Sequence, residues 1–257
     1  MLGKACFCKI EQKGCTLTPL LLALDTSTPH AAIALIASEV DGTLRISTAL
    51  PDPASRHGCA LIPAIRDLLA KVGRTVADLD GLAVGLGPGS YTGLRIGITA
   101  AKTLAYTIGK SLVGLDSLEI VARNAPGDAL FVSAIGDAQR GDLYAAEFRR
   151  ESPGASLARI SPTRVISLAA WLETLEEGAL VLGPALQVPR LAALIPLHLK
   201  RADDPALDWP EPLALAALAN ESWQTSPRED LFLVEPAYLR RSAAEDLWEQ
   251  KGKAEPR

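Results

Sequence analysis

Asp25 and Asp137 stand in matching places. Each closes an apolar run and opens a short polar turn, and each turn leads into a second apolar run: "LLLALDTSTPHAAIALIA" and "ALFVSAIGDAQRGDLYAAEF". A carboxylate in such a turn has two uses. It can help hold a metal-bound phosphate, with Thr26, Ser27, Thr28 or Arg140 beside it. It can also accept hydrogen bonds from its own backbone and so shape the turn. The second use is the simpler reading, and the first makes Asp25, Thr26, Ser27, Asp137 and Arg140 candidates for a weak nucleotide contact.

A third stretch, "AVGLGPGSYTGLRIGITAAKTLAY" (Ala83–Tyr106), holds five glycines and reads as strand, tight loop and helix. A phosphate loop needs Lys and a hydroxyl after its last glycine, but Gly93 is followed by Leu94 and Arg95. A dinucleotide fingerprint needs a third glycine where Ser90 stands. Both templates fail. Gly93, Gly97, Ala101 and Ala105 instead recur every four residues and form a helix stripe without large side chains. Two mid-helix glycines cost about 1 kcal/mol each against alanine, so the stripe implies a close approach by another backbone. That backbone could belong to this chain or to a partner.

Other constellations are thin. Cys6, Cys8 and Cys15 lack a fourth zinc ligand in their segment, and Cys59 has only His57 nearby and reads as a buried small residue. His30, His57 and His198 lie in separate segments, and Ser90 is not in a G-x-S-x-G elbow. Glu176-Glu177 and Asp203-Asp204 read as solvated carboxylates. Tyr238, Arg240 and Arg241 read as surface residues or as contacts to a partner or RNA.

The elements that must carry these residues repeat. The first half reads as a hairpin, an Asp41-Gly42 turn, a third strand in "TLRISTAL", and a helix. That helix has Leu61, Ile65, Leu68, Leu69 and Val72 on one face, Pro63 near its first turn and Gly73 as its stop. Strand Leu82–Leu86, helix Thr92–Ile108 and strand Ser111–Leu115 follow. The second half predicts a hairpin, a strand near Thr163–Ile166, and a Ser167-capped helix ending at Gly178 with Leu168, Trp171, Leu172 and Leu175 inward. Then come the strand in "ALVLGP", a short helix Arg190–Ile195 and strand Leu197–Lys200. A helix over Leu213–Trp223 and a polar tail complete the chain. The fold class is α/β, with tandem duplicated β-β-β-α-β-α units and a boundary near Arg123–Asp128.

Composition fits this picture. Of 257 residues, 48% are hydrophobic and 22% charged, which is globular and not disordered. No apolar run reaches the roughly 18 residues that span a bilayer. The first residues, MLGKACFCKIEQKG, have no continuous apolar core and so read as no secretory signal; a cytoplasmic location is expected. A net charge of −4, with Arg240-Arg241 and Arg149-Arg150 as its only short basic clusters, implies that if nucleic acid is involved another component does most of the holding.

The duplication, with an acidic turn in each first hairpin, resembles the actin-like ATPase (RNase H-like) two-lobed fold. More closely, "LLALDTST", "GLAVGLGPGSYTGLRIGITAAKTLA", "SLVGLDSLEIVA", "IGDAQRGDLYAAEF" and "VEPAYLRR" resemble, in order, the TsaB family. The resemblance is strongest over Leu20–Ala122. It implies a non-catalytic scaffold for threonylcarbamoyladenosine formation in tRNA. The partners it implies are a TsaD-type threonylcarbamoyl transferase, a TsaE-type ATPase, tRNA through the complex, and a homodimer when the chain is alone; no membrane is involved. It places the partner interface on Ala60–Val72 and Thr92–Ile108, at Leu61, Ile65, Leu68, Gly93, Gly97, Ala101 and Ala105. Gly97→Leu is then expected to spare the fold and abolish association; unfolding would mean that the stripe packs inside the chain.

The catalytic relative carries a metal-binding H-x-x-x-H where this chain has Ser117 and Val121, so no such metal site is expected here. No cofactor is required by this chain, although ATP or ADP could sit at the seam with the partner. The expected organisation is an extension over 1–19, a partner-binding lobe over 20–124, a second lobe over 125–205, a segment over 206–240 packing back on both, and a mobile tail over 241–257. The alternative reading is an actin-like ATPase or kinase, or a peptidase, as older glycoprotease labels imply.

Overall fold

The computed structural model describes residues 18–38, 44–49, 57–226 and 230–240. The Asp41-Gly42 turn, Cys6, Cys8, Cys15, Arg241 and the side chains of His57 and Cys59 lie outside the described residues.

The first sheet begins with β1 (Thr18–Asp25), β2 (Ala32–Ser38) and β3 (Leu44–Ala49), joined antiparallel. After α1 (His57–Lys71), β4 (Gly81–Gly87) returns parallel to β1. Helix α2 (Tyr91–Ile108) leads to β5 (Ser111–Asp116), giving the order β3-β2-β1-β4-β5. The apolar run of β1 is continuous because both its faces are covered. Leu20, Leu22 and Leu24 pack with Leu61, Ile65, Leu68, Leu94 and Ile98 of α1 and α2. Leu21 and Ala23 point the other way and pack with Leu215 and Leu218 of the last helix, α6 (Pro212–Thr225).

Helix α3 (Ser117–Ala122) passes from the first sheet to the second, capped by the Asp116 carboxylate, which accepts from the Leu118 and Glu119 amides. The second sheet holds β6 (Phe131–Asp137), β7 (Asp142–Arg149), β8 (Ala158–Arg159), β9 (Arg164–Ser167) and β10 (Leu180–Leu182). Its order is β10-β6-β7-β8, with β9 also paired to β7. Thus β6 and β7 repeat the hairpin of β1 and β2, and β10 repeats the parallel return of β4.

The second half is a reduced copy. Helix α4 (Leu168–Thr174) starts where Ser167 accepts from the Ala170 amide, but it stops at Thr174, before the Gly178 of the sequence reading, because Leu175 is already extended. The expected helix Arg190–Ile195 is only α5 (Pro189–Ala192). The expected strand Leu197–Lys200 does not form. A single bridge between Val181 and Arg201 takes its place, with the Val181 amide donating to the Lys200 carbonyl at 2.8 Å. This segment carries Pro196, which has no amide to donate to a ladder, and Leu197 is 90% exposed, so no second ladder extends the sheet.

Among the described residues, no helix is long and apolar enough to cross a membrane. Trp171 anchors the second core. Its ring is fully buried and its indole N–H donates to Ser133 Oγ at 3.0 Å. Trp171→Ala should therefore lower unfolding free energy by about 3–5 kcal/mol, through lost burial and an orphaned hydroxyl. Urea titration followed by circular dichroism checks this.

Candidate functional site

The β1–β2 turn is the most constrained polar feature of the molecule. Asp25, Thr26 and Ser27 are all buried. Asp25 Oδ1 accepts from the Ser27 amide at 2.8 Å and from Ser27 Oγ at 2.6 Å. Asp25 Oδ2 accepts from Ser117 Oγ at 2.6 Å, and Ser117 Oγ in turn accepts from the Gly87 amide at 3.2 Å. One carboxylate thus joins β1, the end of β4 and the start of α3. Burial pushes the Asp25 carboxyl up from its usual 3.8; the hydrogen bonds from Ser117 and Ser27 oppose this, and the Asp116 charge adds to it.

The glycines form the seat of this turn. Thr26 Oγ1 donates to the Gly93 carbonyl at 2.7 Å, and the Ser90 amide donates to the Ser27 carbonyl at 2.7 Å. A β-carbon on Gly93 would overlap the Thr26 carbonyl oxygen, and one on Gly97 would overlap Thr26 Oγ1. The stripe therefore meets this chain's own turn. This corrects the assignment of Gly93, Gly97, Ala101 and Ala105 to a partner interface: all four are buried inside the chain, the two alanines in the first core. Leu61, Ile65 and Leu68 are each 2% exposed in that same core and face no partner either. The sequence pattern marked a close approach correctly but could not say whose backbone approached.

Between the lobes lies a cleft of about 720 Å³, walled by both hairpin turns. Ser27, Ser117, Val121 and Asp137 reach its lining; Asp25 and Thr26 are turned inward, and Arg140 stands outside it. Asp137 accepts from the Gln139 amide at 2.7 Å and is paired with Arg190 at 2.6 Å. These residues do not fit a metal-bound nucleotide phosphate. Both oxygens of Asp25 are committed, Asp137 is neutralised by a cation, and the Ser90 and Gly93 amides are taken by Ser27 and by Ser90 Oγ. Among the described residues no group of three or more His, Cys, Asp or Glu side chains is arranged to hold a metal. Ser117 spends its hydroxyl on Asp25, and Val121 is buried among Leu118, Val132 and Phe148.

Several contributors were not foreseen. Asp208 is buried, accepts from the Gly183 amide at 2.9 Å and from Gln187 at 2.6 Å, and has its carboxyl raised chiefly by burial. It caps the second Gly-Pro loop, as Ser117 caps the first. His30 stacks on Trp209 with ring centres 4.3 Å apart, and Arg159 of β8 bridges to Asp116 and Glu119. Tyr238 and Arg240 line the cleft, and Arg240 donates to the Ala138 and Gln139 carbonyls rather than pointing outward.

What α1 and α2 turn outward is different from their stripe. A shallow groove of about 630 Å³ runs along Ile62, Tyr91, Arg95, Ile96, Thr99 and Thr103. Ile62 is 50% and Tyr91 56% exposed, and the Arg95 guanidinium lies over the Tyr91 ring, 5.3 Å from its centre. An apolar, aromatic and arginine-bearing helix surface without deep concavity suits a protein partner better than a small molecule.

Comparison with known proteins follows this geometry. A family model described as TsaD, tRNA N6-adenosine threonylcarbamoyltransferase, matches residues 49–248. A Bacillus subtilis protein named tRNA threonylcarbamoyladenosine biosynthesis protein TsaB is 32% identical over 232 residues, covering 89% of this chain and 97% of that one. The Escherichia coli protein of that name is 35% identical over 136 residues, covering 52% of this chain and 57% of its own. A Pseudomonas aeruginosa crystal structure, described as an uncharacterized protein with similarity to peptidase YeaZ, superposes with a TM-score of 0.71 at 24% identity, covering 87% of this chain and 100% of that one. The fold is thus the two-lobed, actin-like kind.

Gly97→Leu should unfold the chain or lower its melting temperature by more than about 10 °C, because four side-chain carbons cannot share space with Thr26. Differential scanning calorimetry measures this; an unchanged melting temperature would contradict the seat. Asp25→Asn should change the pH dependence of stability. The raised carboxyl contributes stability that is full below 3.8 and is lost as pH rises through the higher folded value. The wild-type advantage over Asp25→Asn should therefore shrink with rising pH, as read from urea midpoints at stepped pH.

Proposed function

We propose that this chain, which belongs to the TsaB family, is a non-catalytic subunit in the formation of threonylcarbamoyladenosine in tRNA, and that it binds a TsaD-type threonylcarbamoyl transferase through the outward faces of α1 and α2. One observation carries the non-catalytic part. The polar groups that could serve chemistry in the cleft are consumed internally, with the Ser117 hydroxyl given to a fully buried Asp25. In the resemblance described above, Ser117 and Val121 stand where the catalytic relative has its metal-binding histidines. A serine already committed to a carboxylate and a valine packed in a core offer a metal nothing.

The contribution of such a subunit is binding free energy. A surface that fits the transferase better in its active conformation shifts the transferase towards that conformation by the difference in affinity. The inner stripe supports this use indirectly: a helix pinned to its own lobe presents its outer side in a fixed position, so little ordering remains to be done on association. A TsaE-type ATPase and tRNA join through the assembly; the net charge of −4 is in keeping with tRNA being held mainly by other subunits. A homodimer through the same helix faces is the expected state when the transferase is absent.

Thr99 lies exposed in the middle of the groove and carries no core role. Thr99→Arg should weaken transferase binding about 100-fold, some 2.7 kcal/mol, while leaving the melting temperature within about 1 °C of wild type. Isothermal titration against purified TsaD-type protein measures the first, and calorimetry the second. In reconstituted tRNA modification the variant should fail at concentrations that support wild type. Modification or sustained ATP hydrolysis by this chain alone would overturn the proposal.

A further inference from the structure

Residues 230–240 cross the mouth of the cleft from one lobe to the other. Their first part is fastened to the first lobe. Lys102 of α2 donates to the Val234 carbonyl at 3.1 Å, the Val234 side chain is 1% exposed in the first core, and the Ala237 amide donates to the Leu86 carbonyl of β4 at 2.8 Å. Tyr238 then stacks on Tyr91 at the start of α2, ring centres 5.3 Å apart. The last described residue, Arg240, ends on the second lobe. Its guanidinium donates to the Ala138 carbonyl, to the Gln139 carbonyl at 2.8 Å, and pairs with Asp142 at 3.2 Å.

The turn that Arg240 grips is backbone-strained. Gln139 and Arg140 have φ of 66° and 55°, in the left-handed region that costs non-glycine residues energy, and Gly141 follows at 89°. Its two carbonyls both accept from Nη1 of Arg240 while Nη2 pairs with Asp142, so the two-nitrogen fork serves three acceptors at once, which a single ammonium nitrogen would not. His30 of the β1–β2 turn also stacks on Trp209.

We propose that residues 230–240 are an interlobe clasp, anchored on α2 and β4 and latched by Arg240 on the β6–β7 turn, which sets the width of the cleft. The clasp meets the outward groove of α1 and α2 at Tyr91, while its latch on the β6–β7 turn lies apart from that groove. Releasing the latch loosens cleft walls away from the gripped turn, around Thr28–Pro29 and Gln187–Val188.

Hydrogen–deuterium exchange on the full chain tests this. Arg240→Ala should speed amide exchange about tenfold in 138–142 and also in 28–30 and 185–188, while the buried strands β1 and β6 stay protected. Adding Gln139→Gly and Arg140→Gly relieves turn strain and should restore 138–142 without restoring the other two segments. If Arg240→Ala does not fold, Arg240→Lys, which keeps the charge and loses the fork, should show the same segments accelerated to a smaller extent. Acceleration confined to 138–142, or cured everywhere by the glycine pair, would make Arg240 a turn cap only and overturn the clasp. So would an unchanged exchange pattern in a folded variant.

Discussion

A carboxylate removed from water must be given hydrogen bonds, and the first lobe is arranged around doing so for Asp25. Its three donors come from its own turn and from α3, and the turn that supplies two of them is held by the carbonyl of Gly93 and the amide of Ser90. Truncating Ser117 removes the hydroxyl that Asp25 Oδ2 accepts from, and a buried oxygen left without a mate costs about 1–3 kcal/mol. The glycines pay the entropic cost of the seat, and the apolar faces of α1 and α6 on either side of the sheet offset it.

The second lobe shows what the same plan looks like with fewer demands upon it. It keeps the hairpin and the parallel return, lacks a counterpart of β5, and shortens its helices. Its acidic residue, Asp137, is not enclosed but faces the cleft, satisfied by Arg190. Duplicated halves have therefore solved the same turn in two ways, one by burial and one by ion pairing. Neither leaves a carboxylate oxygen free to recruit a cation.

Much of the fold was legible in the sequence because periodicity and punctuation agree there. The run Leu20–Leu24, the Ser167 cap and the helix through Thr92–Ile108 each follow from local rules. The absence of a strand at Leu197–Lys200 was not, since a short apolar stretch beside Pro196 reads alike as edge strand or loop until its neighbour is known. The site was harder. Gly93 and Gly97 announced a close approach, yet spacing carries no information on whether Thr26 or another molecule fills the gap. Asp208, the His30–Trp209 stack and the grip of Arg240 depend on residues remote in the chain, and nothing local marks them. The residues that the family resemblance named on α1 and α2 are their inner side chains, whereas the exposed ones are Ile62, Tyr91, Arg95 and Thr99.

The seated turn also bears on how the polypeptide is made. Thr26 and Gly93 are 67 residues apart, so during synthesis the acidic loop leaves the ribosome well before the helix that encloses it exists. Until then Asp25 stays hydrated and charged, and the strands already made, β1 to β4, lack the helix that covers this loop. The glycine-bearing helix, a poor former by itself, gains its reason to coil when that loop arrives. Each waits for the other, which makes the first lobe a late, all-or-none event in the life of the nascent chain.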